Sequence, residues 1–249
     1  MTNSTEALEL AQLAFYALAT IPAFYCFVSH GKHGLVGWLY VIAMCGLRLV
    51  GNGMAYHAAS TGKPNATAAI INGIGLSPLL LAALGILHES NHSIQQTLPS
   101  FLGGFGLLIP HMVIAGGIGL AAASHANSKL LEAGLVVFAM GWVLVVALVA
   151  LSWKANSARR RLDDEKKLLV AVAVAMPLIG VRIIYAVATA FADNSASGGS
   201  LPVRVIFGTL PEFLVMITYL SGGLVTHKLA RNRQEHKPEP AYNTAYTSV

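Results

Sequence analysis

The stretch Gly208–Leu220, GTLPEFLVMITYL, holds one carboxylate, Glu212, within a run of apolar residues that extends from 203 to 226. About 20 apolar residues in a helix suffice to cross the hydrocarbon core of a bilayer. An ionised side chain near the middle of such a helix costs at least about 2.5 kcal/mol unless a partner balances it. The stretch therefore predicts a membrane-spanning helix and, elsewhere in the chain, a partner for Glu212.

The rest of the chain has the same apolar character. Of its 249 residues, 55% are hydrophobic and 11% are charged, which excludes an ordinary soluble domain. Glu6 and Glu9, but no Lys or Arg, precede the apolar run Ala11–Val28, so this run is predicted to form a retained span rather than a signal peptide. We predict an all-α membrane protein, a seven-transmembrane helix bundle, with spans at 7–29, 35–59, 66–88, 101–123, 130–153, 168–192 and 203–226.

The distribution of Lys and Arg over the loops predicts the orientation. Cytoplasmic loops collect basic residues. With the N-terminus outside, the inner loops and tail hold 11 of the 16 Lys and Arg, the outer face holds 3, and the membrane holds Arg48 and Arg182. The sequence thus predicts N-out, C-in topology, and orientation explains the basic excess without a nucleic-acid partner. Residues 1–229 are the predicted seven-span domain, and residues 230–249 are a predicted disordered cytoplasmic tail. The plasma membrane or the endoplasmic reticulum is the expected location.

Sequons for N-glycosylation occur at Asn3, Asn65 and Asn91. In the predicted topology Asn3 and Asn65 face outward and are candidate glycosylation sites, whereas Asn91 is cytosolic and should stay unmodified. Asn65 lies close to the membrane, which makes it a poor acceptor.

Two kinds of segment occur twice along the chain. The segments 46–60 (GLRLVGNGMAYHAAS) and 180–194 (GVRIIYAVATAFADN) share Gly-x-Arg, and the segments 73–84 (GIGLSPLLLAAL) and 206–217 (IFGTLPEFLVMI) share Gly-x-x-Pro. The arginine precedes the proline by 30 residues in the first pair and by 29 in the second. In the predicted topology the repeat is parallel, with spans 1–3 and 5–7 as equivalent halves joined by span 4, a 3+1+3 plan. Such symmetry either bears function or is a duplication retained for folding alone.

Arg182 is the predicted partner of Glu212. At 1.5 Å per residue, Arg182 lies about 21 Å above the inner boundary of its span and Glu212 about 14 Å below the outer boundary of its own. In a core of about 30 Å these depths differ by about 5 Å, which an arginine side chain can cover. Pro211 leaves a carbonyl unpaired one turn earlier and is expected to kink the helix beside the carboxylate, and Pro78 is its counterpart in the first half.

Arg48, in the first half of the repeat, has no acid to match it. That half offers two neutral amides, Asn52 and Asn72, and Leu79 stands where the second half has Glu212. Two arginines against one glutamate leave a surplus of one positive charge, which would attract an anionic ligand. We predict a polar mid-membrane binding site formed by Arg48, Asn52, Asn72, Arg182, Tyr185 and Glu212. The alternative is that these side chains only hold the helices together.

The histidines indicate neither a metal nor a cofactor. His88 and His92 have the i, i+4 spacing of a metal pair, but His92 lies past the end of its span, and histidines at helix ends are usually interfacial. His111 could carry a proton within span 4, although a satisfied buried histidine is the simpler interpretation. We therefore predict a protein without metal or cofactor.

Four ordered motifs carry a family resemblance: GWLYVIAMCGLRLVGN (37–52), GLSPLLLAALGILH (75–88), GVRIIYAV (180–187) and LPEFLVMITYLSGGL (210–224). The chain resembles a family of fungal seven-span membrane proteins of unknown function. A more distant resemblance, Arg-x-x-Tyr followed by a glutamate in the last span, is to the fungal lipid-translocating exporter-like proteins. That resemblance implies the handling of lipids or toxic lipophiles and implies no particular mechanism.

Three functions remain open. The leading hypothesis is binding or transport of a lipid or lipophilic small molecule, with an anionic head near Arg48 and Arg182 while Glu212 gates the cleft or exchanges a proton. Its expected partners are membrane lipids and an anionic or amphiphilic small molecule. The second is an intramembrane enzyme of secondary metabolism, such as a terpene cyclase, with Glu212 as the catalytic general acid. The third is a seven-span receptor, which only the topology supports.

Overall fold

A computed structural model describes residues 2–62, 67, 71, 76–97, 107–123, 128–159, 163–192 and 200–235. Every regular element in these ranges is helical, which confirms the all-α prediction for that part of the chain. The helices are α1 (Thr2–Thr61), α2 (Leu76–Ser90), α3 (Leu108–Ala123), α4 (Ser128–Arg159), α5 (Asp163–Ala192), α6 (Leu201–Val225) and α7 (Leu229–Glu235). A 3₁₀ helix, His92–Thr97, follows α2.

Helix α1 consists of two antiparallel arms joined at Gly31. Gly31 has φ +62° and ψ −154°, in a region that glycine adopts at low cost because it lacks a Cβ atom. A straight helix would separate Tyr16 from Arg48 by about 48 Å, yet both side chains contact Glu212. The chain therefore reverses at Gly31, within the predicted HGKHG connection. Residues 2–30 form the first arm and residues 32–61 form the second arm.

Helix α2 lies in the centre of the bundle. All of its residues except Leu81 and His88 are buried, and it contacts α1, α3, α4 and α5. Its closest approach is to the second arm of α1, where a Cβ atom on Gly85 would lie 2.4 Å from Cα of Gly37. Glycine at both positions lets the two backbones touch, as is common where membrane helices cross.

The remaining helices pack around α2. Helix α3 lies along α4, α4 lies along α5, and α5 lies along α6. Helix α6 also contacts α1, which brings the last long helix back onto the first. The shared core therefore joins residues from both ends of the chain.

Within the described ranges, four helices are long and apolar enough to cross a membrane: Ser4–Thr61, Lys129–Ala155, Asp163–Phe191 and Leu201–Val225. Large apolar side chains lie on the outside of the bundle, and Leu18, Ile21, Met112 and Val28 are each at least 70% exposed. Extended apolar surface of this kind is rare on soluble monomers. The helices and their surface are compatible with an integral membrane protein.

Several sequence predictions fall at or beyond the edges of the described residues. Helix α7 covers the first residues of the predicted tail, and residues 236–249 lie outside the described ranges. Asn3 lies in the first turn of α1, while Asn65 lies outside the described residues. Pro78 is the third residue of α2. A kink at Pro78 would change the direction of the residues before it, and residues 72–75 lie outside the described ranges.

Candidate functional site

Glu212 follows a widened segment of α6. Residues Arg204–Thr209 form a π-helix, and the backbone N–H of Leu210 donates to the carbonyl oxygen of Val205. Pro211 comes next and has no N–H to donate, so a regular α-helical ladder could not continue through it. Gly208 in this wider turn lies against the ring of Tyr185. A Cβ atom on Gly208 would be 3.5 Å from Cε1 of Tyr185.

Three side chains converge on the Glu212 carboxylate. The Tyr16 hydroxyl donates a hydrogen bond to Oε1. On the other oxygen, Nη2 of Arg48 lies 2.5 Å from Oε2, and Nε of Arg182 lies 3.7 Å from the same atom. The carboxylate therefore joins both arms of α1, α5 and α6.

The prediction that Arg48 has no acidic partner is wrong. Arg48 is the nearer of the two arginines to Glu212, and Arg182 is the more distant one. In the sequence repeat, the position that corresponds to Glu212 in the segment following Arg48 is Leu79, which cannot pair with an arginine. In the fold, the reversal at Gly31 carries the second arm of α1 onto α6, where Arg48 contacts Glu212.

The site still holds two guanidinium groups for one carboxylate. Arg48 and Glu212 are 4% and 3% exposed, whereas Arg182 is 17% exposed. The Arg182 guanidinium lies over the ring of Tyr185, 5.8 Å from its centroid, at a range where cation–π attraction operates. Its Nε atom makes no hydrogen bond with the described residues. The surplus positive charge is thus placed at the more open edge of the site.

Asn52 lies one turn beyond Arg48 on the same arm. It is 1% exposed, and neither its amide oxygen nor its amide nitrogen has a hydrogen-bond partner among the described residues. A buried amide without partners costs about 1–3 kcal/mol, so its two polar atoms are ready to bind a group that supplies a donor or an acceptor. Asn72, predicted to join it, lies outside the described residues.

Tyr16 is the site residue that the sequence reasoning missed. Its ring is fully buried beside Phe15 and Phe213, and Phe15 stacks on Phe213 with centroids 3.9 Å apart. A signal did exist in the sequence. Tyr16 and Glu212 each lie about 14 Å from the outer boundary of their predicted spans, so an equal-depth comparison could have found the pair.

A second polar cluster lies at the Gly31 end of the bundle. His30 Nδ1 is 2.8 Å from Oε1 of Glu89, and His30 Nε2 is 3.0 Å from the carbonyl oxygen of Gly223. The indole N–H of Trp38 donates to Oε2 of Glu89 at 3.2 Å. A carbonyl can only accept, so Nε2 carries a proton. The imidazole and the carboxyl group therefore share one further proton, and His30 and Glu89 together carry no net charge.

Removing His30 should cost more stability than neutralising Glu89. His30→Ala removes the group that shares a proton with the fully buried Glu89 carboxyl, and we expect the free energy of unfolding to fall by about 3 kcal/mol. Glu89→Gln should cost less, because the glutamine amide can donate to neutral His30 and still accept from Trp38. Thermal unfolding of the purified protein in detergent measures both changes.

The exposed His57 provides the matched control for this comparison. His57→Ala should leave the unfolding temperature unchanged. If His30→Ala matched this control, His30 and Glu89 would not form a stabilising pair.

The other predicted histidine features are placed as follows. His111 is half-buried, and its Nδ1 lies 2.9 Å from the carbonyl oxygen of Leu107, so its ring bonds to its own helix. His92 packs edge-on against His33 with centroids 4.0 Å apart. Within the residues that the structure describes, no three His, Cys, Asp or Glu side chains come together as a metal site.

Comparison with known proteins gives one match. The family described as a domain of unknown function, DUF7702, matches residues 3–229. No curated protein and no solved structure matches the chain.

Proposed function

We propose that this chain, which belongs to the DUF7702 family of domains of unknown function, is a membrane protein that binds and translocates an anionic amphiphile. The head group would contact Arg182, and the apolar tail would lie against α5 and α6. The observation that carries this proposal is the pair of guanidinium groups on one buried carboxylate, with the excess cation at the open edge.

The proposed architecture is the seven-span, N-out, C-in bundle. Four helices are long enough to span, and α1 folds back at Gly31 into arms that each exceed the length of about 20 residues needed for one crossing. With α2 and α3 as the cores of further spans, the total would be seven. The parallel 3+1+3 repeat would then place Arg48 and Arg182 at equivalent positions, one in each half.

Two roles follow for the two arginines. Arg48 is nearly fully buried and lies against Glu212, so its charge is already balanced. Arg182 shares the same carboxylate only at 3.7 Å and stays partly exposed. An anionic head group could therefore bind Arg182 without displacing the contact between Arg48 and Glu212, and guanidinium suits carboxylate or phosphate in particular.

The surroundings of Arg182 favour an amphiphile over a small free anion. The ring of Tyr185, over which the Arg182 guanidinium lies, stacks near Phe207 with centroids 6.4 Å apart, and Phe207 is 45% exposed. Apolar side chains beside a partly exposed cation form a surface that matches a charged head with a hydrocarbon tail. The resemblance to fungal lipid-translocating exporter-like proteins points to the same ligand class and is the reason for proposing translocation.

The enzyme alternative has less support. A general acid needs a proton to give and a path to its substrate. Glu212 is 3% exposed, and the two groups that hydrogen-bond to it, the Tyr16 hydroxyl and the Arg48 guanidinium, both donate. We therefore propose that Glu212 is a fixed countercharge for the arginines rather than a catalytic acid or a moving gate. No contact among the described residues favours the receptor alternative.

Binding measurements with a matched pair of amphiphiles test the proposal. The probes are a long-chain fatty acid and the fatty alcohol of the same chain, titrated into the purified protein in uncharged detergent. We expect the carboxylate to bind at least about tenfold more tightly, equivalent to about 1.4 kcal/mol. Arg182→Gln should remove this preference, and Arg182→Lys should keep part of it because the charge remains.

Arg231→Gln is the control, because Arg231 is 67% exposed on the short α7. It should bind both probes as the unchanged protein does. Equal affinity of the unchanged protein for the acid and the alcohol would overturn the proposal. A preference that survives Arg182→Gln would overturn the assignment of the head-group site.

A further inference from the structure

A groove runs between α4 and α5, and its volume is about 600 Å³. Its walls are formed by one stripe of each helix: Trp142, Val146, Val149, Ala150, Trp153 and Lys154 on α4, and Ala173, Met176 and Pro177 on α5. We propose that this groove binds an anionic phospholipid, with one acyl chain along the stripe and the phosphate at Lys154.

Trp142 lies at one end of the groove. The indole N–H of Trp142 donates to the carbonyl oxygen of Met176 at 3.0 Å, which fixes the Trp142 ring across the gap between the helices. Pro177 follows Met176 on the opposite wall. This hydrogen bond satisfies the indole nitrogen, so the ring presents apolar surface to the groove.

The other end of the groove carries one charge. Lys154 is exposed and makes no ion pair or hydrogen bond with the described residues. The two lysines at the start of α5 differ from it, because Lys166 pairs with Asp163 and Lys167 with Asp164. Among the described residues at this end, Lys154 is therefore a cation that is open to an external anion.

The length of the groove matches one lipid leaflet. Lys154 and Trp142 lie about 18 Å apart along α4 at 1.5 Å per residue. Half of the hydrocarbon core measures about 15 Å, so a phosphate at Lys154 would bring the end of its acyl chain close to Trp142. The exposed ring of Trp153 beside Lys154 is placed as tryptophans commonly are at the membrane interface.

The position of Lys154 also selects the charge of the lipid. In the positive-inside orientation, Lys154 faces the cytoplasmic leaflet, where anionic lipids attract basic residues. The groove is separate from the Arg182 site. It lies on the face of α5 that meets α4, whereas Arg182 reaches Glu212 on α6.

Native mass spectrometry with phosphatidylserine and phosphatidylcholine tests this site. The purified protein should retain several-fold more phosphatidylserine than phosphatidylcholine. Lys154→Gln should abolish that preference. Ala150→Trp, which fills the groove from an exposed position in its wall, should reduce retention of both lipids.

Two matched variants separate the groove from general effects. Lys129→Gln removes an exposed lysine at the other end of α4, and Leu151→Trp adds bulk to α4 outside the groove wall. Both should retain phosphatidylserine as the unchanged protein does. The proposal is overturned if Lys154→Gln keeps the preference, or if Lys129→Gln and Leu151→Trp reduce retention as much as the groove variants.

Discussion

Glu212→Gln is expected to destabilise the protein more than any other single substitution in the site. The change leaves two guanidinium groups, Arg48 and Arg182, against a neutral amide. Breaking a buried ion pair on one side costs about 3–5 kcal/mol, and here one removal affects two cations. We therefore expect the free energy of unfolding to fall by about 5 kcal/mol, the upper end of that range.

Unfolding in a denaturing detergent titration, followed by circular dichroism, measures this loss. Glu235→Gln is the matched control, because Glu235 is 61% exposed on α7 and its ion pair within the described part of the chain is with Arg231. Exposed pairs contribute about 0–1 kcal/mol, so this variant should unfold close to the unchanged protein. A Glu212→Gln protein as stable as the Glu235→Gln protein would show that Glu212 does not hold the helices together.

Arg48→Leu is the second large effect. The variant removes the contact at 2.5 Å but leaves Glu212 with the Tyr16 hydroxyl and with Arg182. Because two donors remain, we expect a loss of about 3 kcal/mol, the lower end of the range for a broken buried pair. The same detergent titration measures it, with the exposed Arg231→Leu as the control.

The relative size of these two losses tests whether both arginines share Glu212. A carboxylate shared by two arginines predicts that Glu212→Gln costs more than Arg48→Leu. The reverse order would mean that Arg48 stabilises the fold through contacts other than the one with Glu212. Equal and small losses would mean that the cluster contributes little to stability.

The common depth of the site residues within their spans could be predicted from the sequence, but the contact between Arg48 and Glu212 could not. Counted from the outer boundaries of their predicted spans, Tyr16, Arg48, Arg182 and Glu212 lie at depths of about 14–17 Å. Depth alone does not say which helix lies beside which. The contact between Arg48 and Glu212 depends on α1 folding back against α6, and this is a non-local packing result.

The cluster at the Gly31 end shows a different limit. The predicted span ends at 88 and leaves Glu89 in the polar connection that follows, yet the Glu89 side chain is fully buried. A hydropathy profile places a carboxylate at the end of an apolar run in water. It contains no information on the contacts of Glu89 with His30 and Trp38. The reversal at Gly31 brings these three residues together.

The helices themselves follow more directly from local sequence. Long apolar runs predicted α4, α5 and α6 because membrane helices must satisfy their backbone hydrogen bonds internally. Pro211 indicated a disturbed helix beside Glu212, and a π-helical segment precedes it. The sequence does not indicate that Gly208 in this wider turn lies against Tyr185, because this contact depends on the packing of α5 on α6.

The most direct test of the central claim is to locate a bound anionic amphiphile. A fatty acid with a photoreactive group near its carboxylate would be bound to the protein, crosslinked by light and mapped by peptide mass spectrometry. We predict labelling of α5 and α6 around Tyr185 and Phe207, with loss of the label in Arg182→Gln and in the presence of excess unlabelled fatty acid. Labelling that is absent from these two segments, or that persists in Arg182→Gln, would contradict the account.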